Sequence, residues 1–336
     1  MKNNTNQPAD IAGLYTLSIR MVIGWTYFSA FWRRLILENK LDPDEGGYIG
    51  EKFNHFLPNA LGIKPVIEYL VTHPNALHTS MVTFTILEAI VGLFIILGLF
   101  TRLMSIGIFG LAFGILLGSG WLGTTCLDEW QIGVLGIAGG FTLFLTGSGP
   151  YSVDHYFLKN KVGFTNKKWF RWIGSGNFPI KNPKIFVLVI SLFIFGMTLY
   201  TNQYFHGGVW GTLHNKSVKP KIEISNLNLT HSDINFEIYR TEGADVYGSV
   251  LIGIHIMDKN GTVLKALDHH ELSKLKSENI KNHYVAKVKP GKHSLIIPLG
   301  AKADLRLSIE DILHQKDKIY SIKLIDISGI EWVSKL

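Results

Sequence analysis

The chain is short of cysteine, of charge and of cofactor motifs. One cysteine in 336 residues excludes an internal disulfide, a CxxC redox pair and a thiolate zinc site. Charged residues make up 18% of the chain, against roughly 25% in a soluble domain. There is no P-loop, no dinucleotide-binding glycine fingerprint between a strand and a helix, and no haem-attachment sequence. The shortage of charge is local. Residues 1–206 hold 26 charged side chains, and the shorter stretch 207–336 holds 33. The first part therefore reads as membrane and the last as an ordinary globular domain. A single soluble domain and a disordered chain are both excluded. The net charge of +7 comes without any nucleic-acid-binding signature. It reads as basic residues kept on the cytoplasmic side, and no nucleic-acid partner is expected.

A bilayer core takes about 20 apolar residues per helix. Five stretches meet that: 11–32, 80–100, 103–122, 131–149 and 185–205. Only Arg20 and Glu88 interrupt them with charge. The first stretch lacks a basic lead-in, follows Asp10 and contains Arg20, so it reads as a retained span and not a cleaved signal peptide. Gly107, Gly110, Gly114 and Gly118 recur three or four apart, as do Gly133, Gly136 and Gly140. Small residues at that spacing let helices approach in lipid, within one bundle or in a homodimer.

Segment 150–184 carries Lys159, Lys161, Lys167, Lys168, Arg171, Lys181 and Lys184, with only Asp154 acidic. It is the expected cytoplasmic loop. The N-terminus is then cytoplasmic, and residues 207–336 are extracytoplasmic, delivered by the fifth helix. The expected organisation is a four-helix membrane domain over 1–158 and a basic linker over 159–184. A fifth span over 185–206 and an outer domain over 207–336 follow. The long outer loop 33–79 is too apolar for disorder and predicts short helices on the outer surface of the bundle.

The outer domain alternates with period two over Lys221–Leu229, Asp233–Tyr239, Gly248–Met257, Ser294–Leu299, Asp304–Ile309 and Tyr320–Ile327. With turn signals between them, these predict an antiparallel β-sandwich. Asp268–Asn279 reads as the one helix. Its Asp268-His269-His270-Glu271 run is a poor metal site, because adjacent residues on a helix point apart. His55, His73 and His78 show no ligand spacing, and no metal site is expected.

Charges inside spans are costly, so each is a functional candidate. Arg20 lies about 12 residues, or roughly 18 Å, below the outer end of its helix; Glu88 lies about eight residues, or roughly 12 Å, below the end of the next. They suit an ion pair locking two helices, or a quinone and proton path. Arg20, Tyr27 and Arg34 are spaced by sevens and fall within about 40° of one face. Arg33 and Arg34 sit at the outer end, against the positive-inside tendency, as snorkelling side chains or as an anion site.

The strongest local signal is Gly118-Ser119-Gly120-Trp121-Leu122-Gly123-Thr124-Thr125-Cys126-Leu127-Asp128-Glu129-Trp130-Gln131. It sets the single cysteine in a polar turn before a helix N-terminus, where thiolate is favoured. Asp128 and Glu129 oppose that unless a cation neutralises them; their other reading is a cap on the next helix. His214 follows the fifth helix near the membrane surface, as a site residue or as part of a plain linker.

The stretch Ile86–Arg102, the run GSGWLGTTCLDEWQIG and the ending LTGSGPYSVD together resemble the DoxD membrane subunit of thiosulfate:quinone oxidoreductase. The segment WGTLHNKSVKPKIEIS and the β domain after it resemble its partner subunit, DoxA. The resemblance covers nearly the whole chain and implies a DoxX-like four-helix bundle fused to a DoxA domain. It implies an integral enzyme of the cytoplasmic membrane that joins two thiosulfates to tetrathionate and reduces a membrane quinone. No metal, flavin or haem is implied. Its partners would be thiosulfate, the quinone pool and respiratory chain, and the lipid bilayer. The candidate catalytic residues are then Cys126, Asp128 and Glu129. Arg33, Arg34, Trp130 and His214 are candidates for substrate binding, and Arg20, Tyr27, Glu88 and Trp121 for the quinone and proton path. Competing readings are another quinone-linked sulfur oxidoreductase or oxidase subunit, and a non-catalytic envelope scaffold.

Overall fold

The computed structural model describes residues 8–123, 128–244 and 248–336. It divides into two compact units. The first contains residues 1–48, 78–120 and 129–213, and the second 49–77, 121–128 and 214–336.

The first unit is helical. Its helices are α1 (Pro8–Tyr15) and α2 (Leu17–Phe31), which runs into a π-helical turn, Trp32–Leu37. After α3 (Gly50–Phe56) and α4 (Lys64–Thr72), which belong to the second unit, come the long helices α5 (Pro74–Leu97), α6 (Thr101–Ser119) and α7 (Asp128–Thr146). Then come α8 (Val153–Lys159), α9 (Lys168–Ile173) and α10 (Pro183–His206). Local chemistry sets the ends of α10. Pro183 opens it where no backbone N–H is needed, and Gly207 closes it at φ 63°, the left-handed conformation that glycine adopts freely.

Among the described residues, α5, α6 and α10 are long and apolar enough to cross a membrane. The other two expected spans differ for visible reasons. Stretch 11–32 is split at Thr16 into α1 and α2, and Asp128, Glu129 and Gln131 make the first turn of α7 polar. The glycines of α7 do serve helix packing. Side chains added at Gly133 and Gly136 would strike Leu116 and Ala112 of α6. Gly110 and Gly114 face open space, so half of the α6 glycine pattern plays no part in the bundle. Gly24 of α2 and Gly92 of α5 also meet closely: a Cβ added at Gly92 would lie 2.4 Å from the backbone nitrogen of Phe28.

The second unit is a β-sandwich. Its strands are β1 (Lys221–Leu229), β2 (Asp233–Glu242), β3 (Ser249–Met257), β4 (Val263–Asp268), β5 (Ile280–Asn282), β6 (Lys289–Pro290), β7 (Leu295–Ile297), β8 (Lys302–Ser308), β9 (Ser321–Asp326) and β10 (Glu331–Lys335). One sheet has the order β1-β2-β8-β5 and the other β10-β9-β3-β7-β6, with β4 also on β3. All pairings are antiparallel. Alternate residues fill the space between the sheets: Ile234, Phe236 and Ile238 from β2, Leu305 and Leu307 from β8, Ile254 and Ile256 from β3, Ile322 and Leu324 from β9. The expected helix over 268–279 is shorter, α11 (His269–Ser273), followed by a 3-10 turn at Ser277–Asn279. Asp268 and Glu271 accept each other's backbone N–H in a reciprocal capping box, so those carboxylates serve the helix end.

The expected short helices of the 33–79 loop exist, as α3 and α4, and they are part of the β unit. Leu57, Ile67 and Val71 pack with Tyr284 and Val285. Asn54, fully buried, donates to the carbonyl of Gly300 at 3.1 Å and accepts from the N–H of Ala286 at 3.1 Å. Asn59 donates to Thr241, and Tyr284 donates to Glu68.

Candidate functional site

The membrane unit carries two polar centres. In the first, Glu88, 3% exposed, pairs with Arg34. The expected Arg20–Glu88 pair does not form. Arg34 lies in the π-helical turn after α2, on the face that seven-residue spacing gives to Arg20 and Tyr27, and it reaches Glu88 of α5. Tyr27 is buried in the core with Val91 and Ile108 and lies within electrostatic reach of Glu88, as does Arg33. Arg33 is exposed; its Nε donates to the carbonyl of Ser29 at 3.2 Å. Among the described residues it has no carboxylate partner.

Close by along the same elements is a groove of about 420 Å³ lined by Leu35, Asn39, Leu41, Asp42, Pro43, His78 and Val82. Leu35 directly follows Arg34, and Val82 lies six residues before Glu88 on α5. The groove has apolar walls with an amide, a carboxylate and an imidazole among them. Sequence reasoning missed it, because 35–43 and 78–82 meet only in three dimensions.

The second centre gathers Arg20, Arg102 and Asp154, all 2% exposed or less. Arg20 donates to the carbonyls of Ser148 and Tyr151 at 2.7 and 2.6 Å. Arg102 donates to the carbonyls of Phe144, Arg171 and Gly176 and lies over the ring of Phe178. Asp154 accepts from the backbone N–H groups of Phe100 and Thr101 and from the hydroxyls of Thr101 and Ser175. It thus caps the N-terminus of α6 from a distant segment. It also holds Phe100 in the left-handed conformation at φ 48°. Burial pushes the Asp154 carboxyl upward, against the pull of its four donors. Arg20 is therefore committed to the turn after α7.

The glycine-rich segment between α6 and α7 is bracketed by defined contacts. On one side His206, fully buried, donates from Nε2 to the carbonyl of Gly120 at 2.9 Å. On the other, the indole N–H of Trp130 donates to the hydroxyl of Thr201 at 3.0 Å. Trp121 is fully buried and donates to the carbonyl of Phe56 at 3.2 Å. Gly123 donates to the Ser217 hydroxyl, and its carbonyl accepts from Asn215 and Ser217 at 2.7 Å each. Cys126 lies outside the described residues. Asp128 and Glu129 lie in the first turn of α7. His214 is exposed; its near neighbours Asn215 and Ser217 bond Gly123. The signal for them was an Asn and a Ser two apart: the Asn215 side chain accepts from the Ser217 N–H at 2.9 Å. His206 carried no signal beyond its place at the end of a span.

The β unit adds a cluster that no sequence spacing announced. Glu237, His283 and Asp304 bring their possible ligand atoms within 4.8 Å of one another. Glu237 and Asp304 are cross-strand partners, and two like charges so placed repel. Lys302 neutralises the first at 3.1 Å, and His283 contacts the second at 3.0 Å. Nearby, burial raises the Tyr239 and Tyr284 phenols above the ordinary range, and Glu68 reinforces both shifts.

A family model described as TQO small subunit DoxD matches residues 15–188. A second, described as TQO small subunit DoxA, matches residues 205–335. No solved structure matches the chain.

Proposed function

The chain belongs to the DoxD and DoxA families of TQO small subunits, joined in tandem, and from that premise we propose that it is a membrane thiosulfate:quinone oxidoreductase. It oxidises two thiosulfates to tetrathionate and reduces a membrane quinone to quinol. The tandem match is the observation that carries this reading, because both halves belong to families of that one enzyme. The protein sits in the cytoplasmic membrane with its N-terminus inside and its β unit outside, and it passes electrons to the quinone pool and respiratory chain.

The thiol of Cys126 carries the chemistry as thiolate. It forms a bond to the sulfane sulfur of one thiosulfate, giving a Cys–S–S–SO3 adduct, and two electrons leave to the quinone. A second thiosulfate attacks the sulfane sulfur of the adduct. The bond to Cys126 breaks, tetrathionate departs and the thiolate returns. Two dianions repel, so a cationic site must hold them. Arg33, exposed and without a carboxylate partner among the described residues, supports that role directly. Arg34 joins it when it yields Glu88, and Trp130 and His214 complete the binding set.

The quinone takes two electrons and two protons. The groove between Leu35–Pro43 and His78–Val82 supports the quinone half. Its volume suits an aromatic ring, its walls suit an apolar ring edge, and Asn39 and His78 offer donors for ring carbonyls. The Arg34–Glu88 pair lies beside the groove's residues in sequence, on the π-helical turn and on α5, and Glu88, or Asp128 with Glu129, relays protons.

Mass spectrometry of protein quenched during turnover tests the covalent step. Thiosulfate with oxidised quinone should leave a thiosulfonate adduct on the Cys126 peptide, and thiosulfate alone should not. An unmodified Cys126 at full turnover contradicts this route.

A further inference from the structure

Segment 150–184 packs where α5 ends and α6 begins, and it runs into α10; these are the three helices long and apolar enough to cross a membrane. By sequence it is a basic linker. Its contacts make it a fixed platform. Asp154 donates its backbone N–H to the carbonyl of Gly98 at 3.0 Å. Arg102, in the first turn of α6, ties down the carbonyls of Arg171, Gly174 and Gly176. Phe170 is fully buried, with its ring against those of Phe100 and Phe164.

The burial of Phe170 decides what the platform presents. At about 100° per residue, Lys168, Trp169, Arg171 and Trp172 share an arc of roughly 160° on the side of α9 opposite Phe170. Both indoles are 47% exposed, and each is held by a neighbouring ring: Trp169 stacks on Phe164, and Trp172 meets Phe178 edge-on. The seven lysine and arginine side chains of the segment are all exposed. Among the described residues, none of them has a carboxylate within ion-pair distance. The segment's one acidic residue, Asp154, is fully buried and held by four donors. Asp10 of α1 is taken up by His155 at 3.2 Å. The exposed face therefore combines fixed indoles with unneutralised cations, at one end of the membrane-crossing helices.

We propose that this face binds the headgroups of anionic phospholipids in the leaflet around it. Indole rings settle at headgroup level, with the apolar body toward the acyl chains and the N–H toward water. Cations beside them attract the lipid phosphodiester, each by about fivefold in affinity, and the guanidinium of Arg171 suits its oxygens as a fork. A small soluble anion would gain from the cations but nothing from Trp169 and Trp172, so the pairing of the two favours lipid. Because α9 is already held by Phe170 and Arg102, little ordering is left for the lipid to impose. The inference does not depend on the thiosulfate reading.

The test uses the purified full-length protein in detergent, titrated with dioleoyl phosphatidylglycerol or dioleoyl phosphatidylcholine, with bound lipid read by native mass spectrometry. The wild type should bind phosphatidylglycerol about tenfold or more tightly than phosphatidylcholine, and higher ionic strength should narrow the gap. The triple variant Lys167→Gln, Lys168→Gln, Arg171→Gln should lose most of that preference and keep its phosphatidylcholine binding. Trp169→Ala combined with Trp172→Ala should weaken both lipids. A matched triple on exposed lysines of the β unit, Lys259→Gln, Lys274→Gln, Lys287→Gln, removes the same charge elsewhere and should leave the preference intact. Equal affinity of the wild type for the two lipids overturns the proposal. So does a matched triple that loses as much preference as the first. Displacement of phosphatidylglycerol by inorganic phosphate at constant ionic strength also overturns it, by making the face a site for a free anion. Should the first triple not fold, Lys181→Gln combined with Lys184→Gln decides by the same readout.

Discussion

Glu88, buried in α5, is paired with Arg34 from the π-helical turn that follows α2. Removing one partner of a buried pair leaves an uncompensated charge, whereas removing both does not. Glu88→Gln and Arg34→Met should each lower the melting temperature in detergent, each by the equivalent of about 3 kcal/mol. The double variant should recover most of the loss. Additive losses in a double-mutant cycle would show that the pair does not act as a unit.

Asp154 holds the N-terminus of α6 and faces two buried guanidinium groups. Asp154→Ala should be the most damaging single change in the membrane unit. It orphans the N–H groups of Phe100 and Thr101 and removes the counter-charge of Arg20 and Arg102. The expected cost is about 3–5 kcal/mol, read as poor yield and early melting. Wild-type melting of Asp154→Ala would refute this capping role.

Asn54 satisfies two backbone groups that lie more than 200 residues away in sequence. Asn54→Ala should cost about 2 kcal/mol and expose segment 49–77 to limited proteolysis. Unchanged cleavage would mean that α3 is held by its apolar contacts alone.

Tyr239 and Tyr284 keep their protons above the ordinary phenol range in the folded protein. The unfolded chain releases them near pH 10. Between those limits the folded state binds more protons, so stability is full below about pH 10 and falls as pH rises beyond it. Phenolate absorbance should rise with unfolding of the β unit, and Tyr284→Phe should flatten the dependence. Titration of both tyrosines without unfolding would contradict their burial.

Much of the architecture is written in local pattern. β1 and β9 show period-two alternation, and the expected boundaries agree to within a residue or so. β4 and β10 escaped notice because one face of each is polar and both are short. The short helices of 49–77 were legible, but not what they pack on, since Asn54, Asn59 and Glu68 find partners beyond residue 240. The pairing of Glu88 was misread for a different reason. Seven-residue spacing puts Arg20 and Arg34 on one face, so periodicity does not choose between them; the carbonyls of Ser148 and Tyr151 take up Arg20 and leave Glu88 to Arg34. The segment around Cys126 stood out by composition, yet the partners of its flanking residues Gly120 and Trp130, His206 and Thr201, are ordinary residues in an apolar helix. Only folding places them at its two flanks.

The most direct measurement is thiosulfate-dependent quinone reduction by the purified protein, wild type beside Cys126→Ser and Arg33→Ala. The account predicts quinol and tetrathionate in equal amounts from the wild type and none from folded Cys126→Ser. From Arg33→Ala it predicts a higher KM for thiosulfate with kcat little changed. Wild-type turnover by Cys126→Ser would remove the cysteine from the electron path. A wild-type protein, folded and supplied with quinone, that leaves thiosulfate untouched would contradict the assignment itself.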